Sequence, residues 1–470
     1  MIKEIKNSDA LLARIRDGRS MTLGEQLRLT ALLSMPSIVA QLSAIIMQYI
    51  DAAMVGSLGA AASASIGLIS TTTWLFWGLC SAIVTGFSIQ VAHLIGAGRK
   101  SEAQAKVRQA LTATLVFSLM LAVIGISISD RLPQWLGGGP DITGDASVYF
   151  FIFSLSLPIF QLGYLAGGVL RCSGNMFVPG VLNVGMCLLD VVFNALLIFP
   201  EINIFGMRLR CAGLGVEGAA IGTLLAEAVT GAAMLWYLWR RSPQLNMRGS
   251  HGSYLPSRAT LRKAAHIGLP VAGEHAIMCG AQILSTVIVA PLGTAAIAAN
   301  AFAITAESLC YMPGYGIGEA ATTLVGQSVG ARRRDLMKRF AHITVYSGMA
   351  VMTVMAVIMY LTAPLLMAFF TPDAEVRELG VMALRIEAWA EPGFAAAIVC
   401  YGAFVGTGDT LIPSCMNLGS IWAVRLTLAA LLAPVYGLKG VWIAMCIELC
   451  FRGAIFLWRL YSGKWLPKGM

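Results

Sequence analysis

The sequence predicts an all-α membrane protein with twelve transmembrane helices in two pseudo-twofold-related six-helix lobes. The 470-residue chain is 57% hydrophobic and only 12% charged, whereas about a quarter of a soluble domain is charged. Apolar segments recur along the chain at the length of roughly 20 residues that a spanning helix needs. The second half also repeats motifs of the first half at one fixed offset.

Four regions are expected along the chain. Residues 1–28 are polar, with apolar and basic side chains spaced as in a short amphipathic helix on the membrane surface; a frayed polar tail is the alternative. Residues 29–240 form an N-lobe and residues 263–470 form a C-lobe. The connector 241–262 is rich in Pro, Ser and Gly, which is typical of a linker, and we expect it to be cytoplasmic.

The spans follow from the apolar runs. Asp51 is the only Asp, Glu, Lys or Arg from Leu29 to Gly98, and Leu58-Gly59 marks a turn between two spans there. The other N-lobe spans are predicted at about 105–128, 147–170, 177–200 and 213–239. The C-lobe spans are predicted at about 264–290, 296–326, 341–369, 380–405, 411–433 and 437–460.

Lys and Arg are unevenly distributed between the connectors. They gather before the first span and after even-numbered spans, as in 99–108 and 332–339, and are sparse after odd-numbered spans. Because basic residues mark the cytoplasmic side, we expect both termini in the cytoplasm and the chain in the plasma (inner) membrane. The net charge of +9 is explained by this asymmetry and requires no nucleic-acid partner.

The internal repeat holds one offset of 234 residues over about 150 residues. It pairs Pro36 with Pro270, Leu58-Gly59 with Leu292-Gly293, Gly174 with Gly408, Asn183 with Asn417 and Gly185 with Gly419. Six helices return the chain to its starting side, so the halves share one orientation and a pseudo-twofold axis along the membrane normal. This arrangement predicts a ligand cleft between the lobes.

The sequence lacks the motifs of nucleotide-binding, metal-binding and haem proteins. The chain contains no Walker-type phosphate loop, and its five His show no paired metal or haem spacing. We therefore expect no enzyme, no catalytic residues, no cofactor and no resident metal, apart from Na⁺ as one option for a coupling ion.

Buried polar residues in the N-lobe predict a cation-coupling site. Asp190 and Asn194 are four residues apart and share a helix face, while Asp51 and Thr223 come from other spans. Carboxylate, amide and hydroxyl oxygens suit Na⁺ by analogy with other hard cations. Two close carboxylates suit a shared proton equally well. Asn194 and Thr223 can alternatively serve only to join helices.

A substrate site is expected in the C-lobe. Glu274, Glu307 and Glu319 are the only charged residues between Lys263 and Arg332, and they lie beside apolar and aromatic residues that include Met278 and Tyr311. Acid without a basic partner, combined with Met and aromatic side chains, suits a lipophilic cation. Arg425 is interpreted as a structural partner for a carbonyl or a glutamate.

Several motifs together resemble the multidrug and toxic compound extrusion (MATE) family. They are Pro36 with Ile50-Asp51 to Gly59, Gly268-Leu-Pro270 with Glu274, Met312-Pro313 to Ala320 with Leu324 to Gln327, and Gly406 to Thr410 with Pro413. The resemblance covers nearly the whole chain. It implies a two-lobe exporter that exchanges drug-like cations for H⁺ or Na⁺.

The resemblance also implies roles for individual residues. It implies that Asp51, Asp190, Asn194 and Thr223 form the coupling site and that Pro36 is a hinge. Some prokaryotic members have Asn first and Asp four residues later, whereas this chain has Asp190 and then Asn194. The alternative function is a lipid or lipid-linked oligosaccharide flippase of the same superfold. The expected partners are small lipophilic cations and membrane lipid, and a monomer is expected.

Overall fold

The computed structural model describes residues 2–204, 207–248 and 252–467, and almost all of them are helical. The end of the chain and parts of the predicted linker and of the N-terminal segment lie outside these ranges. The helices are α1 Ile2–Arg16, α2 Leu23–Gly56, α3 Ala60–Gly96, α4 Lys100–Ile128, α5 Leu132–Trp135, α6 Pro140–Cys172, α7 Phe177–Ile198, α8 Gly215–Arg240, α9 Arg258–Val289, α10 Thr294–Gly330, α11 Arg334–Phe370, α12 Ala374–Glu387, α13 Glu391–Thr407, α14 Leu411–Gly419, α15 Thr427–Tyr436 and α16 Leu438–Ser462.

Eleven described segments are long and apolar enough to cross a membrane. The helices α12 and α13 make a twelfth if they count as one span, and they meet at a bend of 59°. The 3-10 turn Ala290–Leu292 extends α9, and the π-helical segment Ser420–Leu426 joins α14 to α15. The prediction of twelve spanning helices is thus confirmed, with the tenth span broken.

The first span begins at a capping box. Thr22 N–H donates to Glu25 Oε2 at 3.0 Å, and Glu25 N–H donates to Thr22 Oγ1 at 3.3 Å. This reciprocal pair satisfies N–H groups that a helix start otherwise leaves open. The helix α1 precedes it, and its Leu12 and Ile15 are fully buried in the protein. The apolar face expected on the membrane surface is therefore covered, at these two residues, by the protein itself.

The repeat reappears in the backbone. Gly59 and its counterpart Gly293 have φ of 122° and 99°, and Gly174 and Gly408 have φ of 98° and 88°. Only glycine adopts such angles without steric cost. Gly98 (φ 72°) pairs with Arg332 (φ 54°), which is the one non-glycine residue with positive φ in the described ranges. The two halves therefore place the same turns at the same repeat positions.

A short hairpin interrupts the helical pattern. The antiparallel strands β1 Glu201–Ile204 and β2 Met207–Arg210 pair with Glu201 opposite Arg210 and Ile204 opposite Met207. No strands were predicted here, because a four-residue strand is too short for an alternating pattern to be distinctive. The hairpin lies in the connector between α7 and α8.

The chain forms two compact units. The first contains Met1–Leu42, Gly96–Gly98 and Leu269–Met470, and the second contains Ser43–Ile95 and Arg99–Gly268. The start of α2, with Pro36, thus belongs to the first unit, while the rest of α2, with Asp51, belongs to the second. The division of the chain at the 241–262 linker stays a prediction.

Candidate functional site

One side-chain amide joins two acids in the second unit. Asn194 Nδ2 donates to Asp51 Oδ1 at 2.9 Å and to Asp190 Oδ2 at 3.0 Å. Asp190 and Asn194 are buried, and Asp51 is partly buried. The structure therefore brings three of the predicted coupling residues together, with both carboxylates within hydrogen-bond distance of one nitrogen.

Small residues of α8 hold Asn194 in place. A Cβ added at Gly222 would lie 2.0 Å from Asn194 Oδ1, and one at Gly218 would lie 2.5 Å from the Leu197 carbonyl oxygen. Glycines at these positions let α8 approach α7 closely, as small residues do in membrane helix pairs. The orientation of the Asn194 amide is therefore set by backbone packing as well as by the two acids.

Two acceptor oxygens in this cluster remain open. Asp190 Oδ1 and Asn194 Oδ1 are buried, and neither has a hydrogen-bond partner among the described residues. Buried polar atoms are nearly always satisfied, so each exception calls for a ligand, an ion or a water. Carboxylate and amide oxygens can coordinate Na⁺, and two adjacent carboxylates can share a proton. The cluster can therefore take up a small cation.

Three further groups surround this pair of acids. Thr223 lies beside Asp190, as predicted. Glu227 follows Thr223 by four residues on α8 and lies near enough to Asp190 for their charges to interact. Tyr149 of α6 lies near Asp51, Asp190 and Glu227. Glu227 and Tyr149 were not predicted from the sequence. The four-residue spacing already placed Thr223 and Glu227 on one face of α8.

In the first unit, neutral donors surround Glu274. Its Oε2 accepts hydrogen bonds from Tyr401 Oη at 2.8 Å and Ser414 Oγ at 2.6 Å, and its Oε1 accepts one from Asn417 Nδ2 at 2.7 Å. No basic group takes part in these bonds. The carboxylate is thus oriented by dipoles, and its negative charge is not cancelled by a basic partner in these contacts.

The other predicted substrate residues lie in different surroundings. Glu319 Oε1 accepts a long hydrogen bond of 3.4 Å from Gln41 Nε2. Tyr311 packs edge to face against Tyr315 and Phe394, with ring centroids 5.9 and 5.4 Å away. Met278 is 36% exposed. These residues offer an acid, aromatic rings and a flexible apolar side chain within one unit.

Glu307 is placed differently from Glu274. Its side chain is buried, and its carboxylate lies with those of Glu387 and Glu391, with ligand oxygens of all three within 4.8 Å of one another. We call these three residues the glutamate triad. Glu307 was predicted from the sequence as a substrate residue. The triad itself was not predicted, because the sequence does not reveal the bend between α12 and α13.

Arg425 has the structural role that was predicted for it. Its Nε donates to Glu448 Oε2 at 3.0 Å, and Arg452 Nε donates to Glu448 Oε1 at 2.7 Å. Ser420 donates to Glu448 Oε1 at 2.5 Å. One buried carboxylate therefore holds two guanidinium groups and a hydroxyl of the π-helical segment.

Pro36 lies within α2, close to a tight helix contact. A Cβ on Gly316 of α10 would lie 2.7 Å from the Ile38 backbone nitrogen, so only glycine fits there. Gln41 and Glu319 form a hydrogen bond nearby. The segment that carries the predicted hinge is therefore packed directly on α10.

Spanning helices in two repeated halves, with buried acids in both, are typical of a membrane transporter. The MatE family model matches residues 36–196 and 270–431, one match in each half, and their first residues are the paired Pro36 and Pro270. The chain belongs to the MatE family and is an integral membrane protein.

Curated relatives match over most of their length. A probable multidrug resistance protein NorM of Thermotoga maritima is 25% identical over 421 residues, which is 88% of each chain. A protein of the same name from Xylella fastidiosa is 25% identical over 446 residues, covering 93% of this chain and 92% of the relative. The uncharacterized transporter YisQ of Bacillus subtilis is 24% identical over 409 residues, covering 87% and 88%.

Solved structures share the fold. The crystal structure of MATE in the straight conformation superposes with a TM-score of 0.85 at 20% identity, covering 94% of this chain and 99% of the other. The Vibrio cholerae MATE transporter VcmN in the bent form has a TM-score of 0.82 at 18% identity, covering 97% and 98%. These similarities confirm the predicted fold class.

Proposed function

We propose that the protein is a secondary antiporter. It exports lipophilic, mostly cationic drugs or toxic metabolites by alternating access and takes up H⁺ or Na⁺ in exchange. The observation that carries this proposal is the Asn194 amide shared between Asp51 and Asp190, with two buried oxygens left open beside it. The relatives named multidrug resistance protein support the substrate class.

Coupling follows from the chemistry of the two acids. Adjacent carboxylates in a medium of low dielectric constant repel each other when both are ionised, and a proton or Na⁺ removes that repulsion. A ligand shifts a conformational equilibrium only through its different affinities for the two states. We therefore assign Asp51, Asp190, Asn194 and Thr223 to a site whose occupancy favours one conformation of α2.

Pro36 is the hinge in this proposal. A proline within a helix leaves a backbone carbonyl without its intrahelical partner, which makes bending at that point less costly. Pro36 lies between the cytoplasmic start of α2 and the part of α2 that carries Asp51, and Gly316 packs beside it at Ile38. Loading Asp51 changes the packing that the remainder of α2 prefers, and the helix bends at Pro36.

Substrate recognition is assigned to the C-lobe residues Glu274, Met278, Glu307, Tyr311 and Glu319. Glu274 is the leading residue of this set, because three neutral donors orient its carboxylate and no basic group takes part in these hydrogen bonds. Tyr311 adds an aromatic face. Glu307 contributes from the glutamate triad, where it adds to the negative potential of the site.

A flippase for lipid or lipid-linked oligosaccharide is the less favoured function. Binding of a phosphate-linked headgroup calls for basic groups, and residues 29–98 and 264–331 contain no Lys or Arg. We place the protein in the inner membrane with both termini cytoplasmic, on the basis of the Lys and Arg asymmetry.

Transport in proteoliposomes tests the proposed function. Purified protein is reconstituted and an imposed pH gradient or Na⁺ gradient is applied separately, with an ethidium-like cationic dye as substrate. We expect uphill dye movement with one of the two gradients and exchange of labelled dye for unlabelled dye across the membrane. Dye flux that only follows its own gradient, or lipid scrambling without dye transport, would overturn the proposal.

A further inference from the structure

Exposed aromatic side chains join α11 to the end of α16 within the first unit. The hydroxyls of Tyr346 and Tyr461 form a hydrogen bond. The His342 ring stacks on Tyr346 and leans against Tyr461, with ring centroids 6.2 and 5.3 Å away. Both tyrosines and Trp458 of α16 are exposed. We call these four residues the aromatic patch, and it lies outside the coupling cluster and the substrate residues.

The aromatic patch bridges a groove between the two helices. Both helices pack closely on α13: a Cβ added at Gly348 of α11 would lie 2.7 Å from Val399, and one added at Gly453 of α16 would lie 2.4 Å from the Gly393 carbonyl oxygen. The buried Cys400 of α13 lies near Tyr461. The helix α13 is therefore the floor of the groove, and α11 and α16 are its walls.

Away from the aromatic patch, the walls of the groove are apolar. On α16, Ile447 and Phe451 are exposed and share a helix face with Trp458. On α11, Val357 is exposed and shares a face with Tyr346. Exposed apolar side chains along spanning helices contact lipid tails. The groove therefore offers a surface for acyl chains that ends at exposed tyrosine and tryptophan rings.

The end of the groove at the aromatic patch is basic. Lys338 and Arg339 of α11, and Lys464 just after α16, are exposed. None of them has an acidic partner within the part of the chain that the structure describes. Lys338 lies near His342, and Lys464 Nζ lies 5.0 Å from the centre of the Trp458 ring. Both lysines thus lie beside the aromatic patch.

Acidic residues do not cancel this charge. Residues 336–371 and 449–470 contain no Asp or Glu. Asp335 is paired with Arg333 at 3.0 Å, and Asp409 is paired with Arg459 at 2.5 Å. The basic end of the groove therefore keeps a positive charge that an anion can neutralise.

We propose that the groove binds one anionic phospholipid. The headgroup phosphate lies at Lys338 and Lys464, and the acyl chains lie along the apolar walls. In the hydroxyl pair only one O–H donates, so the second O–H is left for a phosphate oxygen. Basic residues at the cytoplasmic surface attract anionic lipid, and Tyr and Trp rings lie at the level of the headgroups. The site does not depend on the proposed antiport.

The repeat predicts one such site in each chain. The counterparts of Lys338 and Tyr346 in the first half are Gln104 and Thr112, which offer neither a charge nor a ring. Gln104 donates a hydrogen bond to the Asn246 carbonyl oxygen at 2.7 Å. The equivalent position of the first half is therefore occupied by the protein itself, and we expect one tightly bound lipid instead of two.

Native mass spectrometry of the purified full chain tests this site. Delipidated protein in detergent is titrated with phosphatidylglycerol or with phosphatidylcholine of the same acyl chains. We expect one phosphatidylglycerol to bind more tightly than phosphatidylcholine. One basic residue near the surface contributes about fivefold to affinity for anionic lipid. Lys338→Gln and Lys464→Gln should each weaken this binding about fivefold, and the double variant should weaken it about 25-fold.

Matched variants separate the groove from a general effect of charge. Lys439→Gln removes an exposed lysine at the other end of α16 and should leave binding unchanged. Lys338→Arg keeps the charge and should keep most of the affinity. Tyr346→Phe combined with Tyr461→Phe keeps the rings but removes the hydroxyls, and should weaken binding less than the double lysine variant. Thermal unfolding without lipid verifies that each variant is folded.

Four results would overturn the proposal. The first is equal affinity of the wild type for the two lipids. The second is a folded double lysine variant with wild-type affinity for phosphatidylglycerol. The third is an equal loss in Lys439→Gln, which would indicate an effect of net charge alone. The fourth is displacement of the lipid by soluble glycerol phosphate at similar concentration, which would indicate an anion site that needs no acyl chains.

Discussion

The two halves of this transporter share their turns but not their polar chemistry. Gly59 and Gly293, like Gly174 and Gly408, have matching backbone conformations. The repeat counterparts of Asp51, Asp190 and Asn194 are Ser285, Val424 and Leu428, so the acidic cluster of the first half has no copy in the second. A duplicated scaffold has kept the geometry that packing requires, while each half has acquired its own set of buried charges.

The buried charges of the two halves are also compensated differently. In the first half, one amide links two acids, and two acceptor oxygens stay open. In the second half, Glu274 is surrounded by neutral donors and Glu448 is paired with two arginines. The buried oxygens of Glu387 and Glu391 in that half have no hydrogen-bond partner among the described residues. A site that must gain and lose a cation benefits from open acceptors, whereas a paired carboxylate such as Glu448 stabilises the fold.

The largest loss of stability is expected at Glu448. Glu448→Ala leaves Arg425 and Arg452 without their carboxylate in the protein interior. Breaking a buried ion pair from one side costs about 3–5 kcal/mol, so the free energy of unfolding should fall by about that amount. Thermal unfolding in detergent measures the change, with exposed Glu378→Gln as the control. A loss no larger than that of the control would show that Glu448 does not hold these helices.

A smaller loss of stability, combined with a loss of ion coupling, is expected for a substitution at Gly222. Gly222→Ala places a Cβ against Asn194 Oδ1, and overpacking of this kind costs about 1–3 kcal/mol. Gly185→Ala in α7 is the matched control, because no atom lies within 4 Å of its added Cβ. Gly222→Ala should also impair ion coupling, since it moves the amide that joins the two acids. Equal behaviour of the two variants in unfolding and in transport would argue against this packing.

The acidic residues of the C-lobe should differ in how much they contribute to the affinity for cationic substrates. Two unit charges about 4 Å apart interact by roughly 4 kcal/mol at an effective dielectric constant of 20. If Glu274→Gln removes a third of this interaction energy, the affinity of the transporter for cationic dyes falls about tenfold. Its affinity for neutral dyes should stay unchanged. Glu319→Gln should have a smaller effect and Glu307→Gln the smallest. The three variants are compared by dye competition, and normal transport of cations in all three would exclude an acidic substrate site.

The shared orientation of the halves can be tested without any expected loss of function. Asp141→Cys and Glu375→Cys alter exposed residues at paired repeat positions, in a background without the native cysteines. If the halves have the same orientation, a membrane-impermeant thiol reagent labels both from outside the cell. Tyr254→Cys, in the linker, should be labelled only from inside. Labelling of Asp141→Cys and Glu375→Cys from opposite sides would show inverted halves.

The sequence predicts much of the fold because membrane helices depend on local composition. The apolar runs, the repeat and the turns at Gly59 and Gly293 need no tertiary information. The shared face of Asp190 and Asn194 is likewise a consequence of helical spacing. The glutamate triad is different, because it depends on the bend between Glu387 and Glu391 and on the approach of α10. Tyr149 was missed for the same reason, since its neighbours come from other helices.

Asp51 and Asp190 are proposed to couple ion uptake to substrate export. Ion-driven transport of substrate against its own concentration gradient tests this coupling most directly. Asp51→Asn, Asp190→Asn and the double variant are reconstituted beside Asp141→Asn, which alters an exposed aspartate of α6. Both single variants should resemble the cation-loaded state, so substrate still binds while gradient-driven transport is lost. Asn194→Ala should weaken Na⁺ coupling more than H⁺ coupling, because an amide offers an oxygen ligand but no proton site. Uphill transport that persists in the double variant would contradict the account and place coupling at the C-lobe glutamates.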